Sequence, residues 1–208
     1  MKPLRPDDAE IDVSGDVTDF FRDVVTDAMK TQRFDATDAA ESYVVCLLAD
    51  FAKPELLPGA TLDRPLTFQL QEAYQANGQE RFERLRSLGD GVLYATGFFS
   101  DHFEMRGIEL EYVSSLGARA YQGASSMLRR AASAERAGPD VFHELAQNFG
   151  MFVALVSHVA DAMLANSARD DRAVLKLYER WLRNGSAPLA SALVSRGVLP
   201  VRRDGTLH

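Results

Sequence analysis

The stretch DVFHELAQNFGMFVALVSHVADAMLAN, residues 140–166, decides the fold class. Its apolar residues do not alternate as they would on a strand. Phe142, Leu145, Phe149, Phe152, Val156, Val159 and Met163 recur at steps of three and four, which gathers them on one broad side of a helix. Opposite them runs a narrow stripe of His143, Gln147, Gly150, Ala154, His158 and Asp161. A helix apolar over most of its circumference is a core helix, and it needs other helices around it. Gly150 and Ala154 suggest that a further helix packs on the stripe itself, from this chain or from a second subunit.

Outward from this segment the same period recurs. Val17, Phe20, Phe21, Val24, Val25 and Ala28 share one face of a helix whose other side carries Asp16, Asp19, Asp23 and Asp27. A second helix starts near Asp38, with Glu41 three residues on as a capping box. It uses Tyr43, Val44, Leu47, Leu48 and Phe51 and stops before Pro54. Pro54–Arg64 reads as a loop. A third helix carries Leu66, Leu70 and Tyr74 and ends at Asn77–Gly78. The next uses Phe82, Leu85 and Leu88, and Gly89–Asp90–Gly91 is expected to interrupt or kink it. Helices continue through Val92–Phe99 and from Leu110 to a stop before Gly138–Pro139. Two short helices close the chain, Val174–Leu182 stopped by Gly185 and Leu189–Arg196. The prediction is all-α: a single-domain multi-helix bundle of about eight helices at 13–200, with a flexible acidic arm at 1–12 and a basic tail at 201–208.

Composition agrees with a packed core. The chain has 208 residues, 46% hydrophobic and 25% charged, as ordinary globular domains do. The N-terminus has no apolar signal-like region, and no uncharged run approaches the ~20 residues of a spanning helix. The single cysteine, Cys46, can form no intrachain disulfide and is expected to be buried in its helix. The cytoplasm is the expected compartment. The net charge of −7 argues against nucleic acid and anionic membranes as general partners. That charge is polarised. Residues 1–40 carry five basic and ten acidic groups, and residues 172–208 carry seven basic and two acidic groups. Opposed ends of this kind suit self-association or a protein partner.

Six of the fourteen glycines fall between Gly89 and Gly123. A glycine inside a helix costs ~1 kcal/mol relative to alanine, so such a density needs a reason. Close helix–helix approach is one, and a pocket lined by a kinked helix is the other. The segment LGDGVLYATGFFSDHFEMRGIELEYVSSLGARAY, residues 88–121, resembles an uncharacterised bacterial all-helical family with no assigned activity. The resemblance implies no reaction, but it adds weight to Asp90, Tyr94, Asp101, Arg106, Tyr112 and Tyr121 as a ligand-binding set. On an unbroken helix Asp90, Tyr94 and Asp101 would lie close to one face, and Arg106 could pair with Asp101 or Glu104. Phe98, Phe99 and Phe103 would suit an apolar pocket.

His158 and Asp161, on adjacent turns, could give two metal ligands, with His102 as a third. No Glu-x-x-His unit of the di-metal bundles is present. No phosphate-binding loop, dinucleotide fingerprint or Gly-x-Ser-x-Gly elbow occurs, so no cofactor is implied and no catalytic residue stands out. The C-terminal helices resemble the outline of a helix-turn-helix, with Arg172, Arg180, Arg183, Arg196, Arg202 and Arg203 as phosphate contacts. The would-be recognition helix, however, has one basic residue and no Asn or Gln. A non-catalytic interaction or regulatory protein is the leading expectation. A bundle holding a small apolar ligand or a metal comes second, and DNA binding third.

Overall fold

The computed structural model describes residues 13–53, 64–131 and 140–201. The predicted arm at 1–12, most of the Pro54–Arg64 loop, the Gly138–Pro139 stop, and residues 202–208 with Arg202 and Arg203 lie outside these. Among the described residues there are ten helices and no strand. They are α1 (Val13–Gln32), α2 (Asp38–Phe51), α3 (Leu66–Gln75), α4 (Gly78–Phe98), α5 (Ser100–Glu104), α6 (Leu110–Ala131), α7 (Val141–Gln147), α8 (Phe149–Ser167), α9 (Asp171–Asn184) and α10 (Ala187–Ser195). The all-α bundle is as expected.

Helix ends follow from local chemistry, with two corrections. α2 is capped by Thr37, one residue before the expected Asp38. Its hydroxyl accepts the Ala40 N–H at 3.2 Å. Thr37 in turn donates its own N–H, at 2.9 Å, and its hydroxyl to the Glu144 carboxylate of α7. Glu41 does not close a capping box. It accepts the Thr26 hydroxyl of α1 at 2.6 Å and joins the first two helices. The long apolar helix is two helices. Asp140 caps α7 by accepting the His143 N–H at 3.0 Å, and the helix ends at Asn148 before α8 begins. Asp170 caps α9, which Gly185 ends in the left-handed region at φ +67°, where a side chain would be strained.

Gly89–Asp90–Gly91 does not break its helix, since α4 runs unbroken from Gly78 to Phe98. The glycines are where neighbours come close. A methyl group on Gly89 would lie 2.5 Å from the Tyr121 ring, and one on Gly97 would lie 2.4 Å from Val156. On α6, a methyl on Gly117 would meet Phe149 at 2.4 Å and Val92 at 2.7 Å. Side-chain-free positions thus let α4 settle against α6 and α8, and close approach accounts for most of the glycine density. Tyr121, Phe152, Leu85, Leu93, Leu145 and Leu155 fill the core between them.

A smaller apolar cluster sits at the end of α8, where Leu177 and Trp181 of α9 and Leu189 and Leu193 of α10 pack around Ala165 and Ala168. α8 is one helix long and apolar enough to cross a membrane by length and composition. Its residues Phe152, Leu155, Val156 and Val159 are buried in the bundle.

One burial expectation fails. Cys46 is exposed, because it shares the solvent stripe of α2 with Ser42 and Asp50, one turn to either side. Among the described residues no helix covers Gly150, where an added methyl would meet nothing within 4 Å. Gln147, Gly150 and Ala154 are exposed, whereas Asp161, at the far end of the same stripe, is only 2% exposed.

Candidate ligand-binding cleft

The six-residue ligand set predicted from sequence separates into four places. Asp90 and Tyr121 come together, along with Tyr43, which the sequence did not single out. Oδ1 of Asp90 accepts the hydroxyls of Tyr43 at 2.7 Å and Tyr121 at 2.8 Å, and Arg86 lies 3.9 Å from Oδ2. This polar node ties α2, α4 and α6 within the apolar core. Burial pushes the Asp90 carboxyl up to about 6, although both tyrosines and Arg86 act in the opposite direction. Burial and the Asp90 charge push both tyrosine hydroxyls above their usual range, so they act as donors. The node is a structural fastener with both donors committed.

Its titration has a testable sign. From the ordinary Asp value of 3.8 up to about 6, the folded protein holds a proton that the unfolded chain has released. Asp90 therefore contributes a stability that falls as pH rises through that window and is level above it. In Asp90→Asn the amide oxygen can still accept both hydroxyls. The variant is expected to lose this slope and to match or exceed the wild type above pH 6. Urea midpoints between pH 4 and 8 measure it, and an unchanged slope would reassign the titration to another group.

Tyr94 is not a binding residue of this node. It stacks between Phe51 and Phe98, with ring centroids 4.5 and 4.4 Å away. Asp101 lies beyond the break at Phe99, on α5, so it does not continue the α4 face. It binds Arg183 of α9 and not Arg106.

Arg106 and Tyr112 line a cleft of about 350 Å³, within the size range of small-molecule sites. His102, predicted as a metal ligand, lines it as well. The start of α3 (Leu66, Thr67), α5 with the turn after it (Phe103, Ile108) and the first half of α6 (Val113, Leu116) build its walls. Phe103, Val113 and Leu116 are buried and form an apolar floor, while Ile108 and Tyr112 are part of the exposed rim. A sharp turn positions Arg106. Gly107 adopts φ +67°, and the Ile108 N–H donates back to the Phe103 carbonyl at 2.9 Å. Arg106, Tyr112 and His102 were candidates from sequence, but Thr67 and Leu66, about forty residues away, carried no signal for a site.

His102, His158 and Asp161 do not gather as a set of three. Among the described residues, no three His, Cys, Asp or Glu side chains group to hold a metal ion. Asp161 has both oxygens engaged, Oδ1 by Arg180 and Oδ2 by Asn184 at 2.9 Å. His158 is half-buried on α8.

Three of the arginines expected to face phosphates are also internal fittings. Arg180 reaches the carbonyls of Phe98 and Gly97 at 3.3 and 3.5 Å, Arg183 holds Asp101, and Arg196 donates to the carbonyls of Ala165 and Ala168 at 2.8 Å. Arg180 and Arg196 close helix C-termini, where cations are favoured, while Arg183 pairs with an acid in the first turn of α5. Arg172 is exposed. Comparison of the chain with protein-family models, with curated proteins and with solved structures gave no match.

Proposed function

We propose that this chain is a non-catalytic binding protein whose ligand, a small and mainly apolar molecule, occupies the cleft between α3, α5 and α6. The observation that carries this reading is the cleft itself, an apolar floor with a few polar groups converging at the mouth, as small-molecule sites are built. Binding is favoured over catalysis because Asp90, the carboxyl whose pKa is raised, lies in the α2–α4–α6 interface and does not line the cleft. Octanol at ten times its Kd is expected to raise the melting temperature by about 3–6 °C. Ile108→Trp, which fills the cleft from its rim, should abolish the shift without lowering the melting temperature of the free protein. The absence of any shift with octanol, hexanol or a naphthalene derivative would sink the reading.

Self-association is a second reading, supported by a different place. Leu175 and Leu182 on α9, with Leu199 and Val201 after α10, are 57, 42, 76 and 60% exposed. Tyr178 donates to the Val201 carbonyl at 3.3 Å, which brings the end of the described chain alongside α9 and these residues into one region. Such a patch suits a second copy or a protein partner. Sedimentation equilibrium measures it, and a monomer at every concentration would remove the homo-oligomer. The single free thiol supports a reducing compartment, and the cytoplasm is the location we propose.

A further inference from the structure

We propose that the ligand of the cleft is an amphipathic anion, a carboxylate on a short apolar body, with Arg106 as its counter-charge. The inference rests on the cleft being a binding site and adds the chemistry of what enters it.

Among the described residues, the polar side chains that line the cleft are all capable of donating a hydrogen bond, and none is a carboxylate. They are Arg64, Thr67, His102, Arg106 and Tyr112. Arg64 is already satisfied, since its two terminal nitrogens bind the two oxygens of Glu72 at 3.1 and 2.6 Å. Arg106 is not. Asp101, the acid that the sequence would pair with it, is held by Arg183, and no acid among the described residues lies within ion-pair distance of Arg106. The hydroxyls of Thr67 and Tyr112 and the ring nitrogens of His102 likewise have no hydrogen-bond partner among the described residues.

A set of donors facing an apolar floor, with no acceptor among the described residues, is complementary to an acceptor carried on an apolar body. A carboxylate fits the planar fork of a guanidinium, and charge-assisted bonds of this kind are the stronger class. An ammonium head would meet Arg106 with like charge, and a neutral head would leave that charge without a partner.

The test keeps the apolar body constant and changes only the head. Octanoate, octanol and octylammonium are titrated against the whole protein by calorimetry, below their aggregation concentrations and at low salt, where an exposed charge is least screened. Octanoate is expected to bind at least about tenfold more tightly than octanol, with octylammonium weakest. Arg106→Gln should remove that preference, bringing octanoate down to the affinity of octanol. Because Arg106 is exposed and contributes nothing to the core, this variant is expected to fold as the wild type does. Equal binding of octanoate and octanol, or a preference that survives in Arg106→Gln, would overturn the anionic ligand and leave the cleft an apolar binding site. Failure of all three to bind would overturn the binding site as well.

Discussion

Arg180→Met is expected to lower the free energy of unfolding by about 3–5 kcal/mol, because it leaves a buried carboxylate without its counter-charge. Asp161 and Arg180 have side chains only 3% and 13% exposed, so water cannot take over the lost interaction. Asn184 would remain on Oδ2, but a single amide does not neutralise the charge. The same guanidinium also reaches the carbonyls that end α4, so its removal loosens three helices at once: α4, α8 and α9. Urea unfolding measures the loss. Hydrogen exchange should show α9 and α10 opening ahead of the main core, since their apolar cluster is separate from it. A double variant, Asp161→Leu with Arg180→Met, should recover part of the loss, because the buried charge is gone while the α4 carbonyls still lack their donor. A loss below about 1 kcal/mol for Arg180→Met would mean that water reaches Asp161.

Alanine at the glycines should act with opposite signs according to what each one faces. Gly117→Ala is expected to cost about 1–3 kcal/mol even after the ~1 kcal/mol that alanine gains as a helix former. The new methyl would overlap the ring of Phe149 and a methyl of Val92, both held in the core and neither able to swing away. Gly97→Ala is expected to behave alike, since Val156 and the Ser157 backbone stand in the way. Gly150→Ala meets nothing within 4 Å and should stabilise by up to about 1 kcal/mol. Thermal or urea unfolding of the three variants checks the pattern. Destabilisation at Gly150 would reveal a surface on α8 that a second copy covers in solution.

The glycines also show how far the candidate site was legible. Their density announced that helices approach closely, yet Gly89–Asp90–Gly91 read locally as a break. Packing against α6 overrides the weak helix propensity there, and tertiary contact of that kind is invisible in a window of neighbours. For the candidate residues the difficulty was pairing. Asp90, Tyr121, Asp101, Arg106, Tyr112 and His102 were all singled out, but their partners Tyr43, Arg183 and Thr67 lie far off in sequence. Asp101 and Arg106 looked like a pair because only four residues separate them. The turn at Phe99 and the arrival of α9 give Asp101 to Arg183 and leave Arg106 facing the cleft.

What the sequence determined by itself was the periodic part. Apolar residues at steps of three and four make helices whatever surrounds them, Gly185 ends a helix because only glycine enters the left-handed region freely, and the absence of alternation rules out a sheet. These are properties of adjacent residues. The tertiary structure alone decided which charges are spent and which are free. Arg180, Arg183 and Arg196 are indistinguishable from Arg106 as residues, yet three close helix ends or hold buried and half-buried acids while the fourth lines an apolar cleft. The physical reason is that an ion pair depends on distances of a few ångströms between side chains, and those distances are set by how helices cross and not by how residues follow one another.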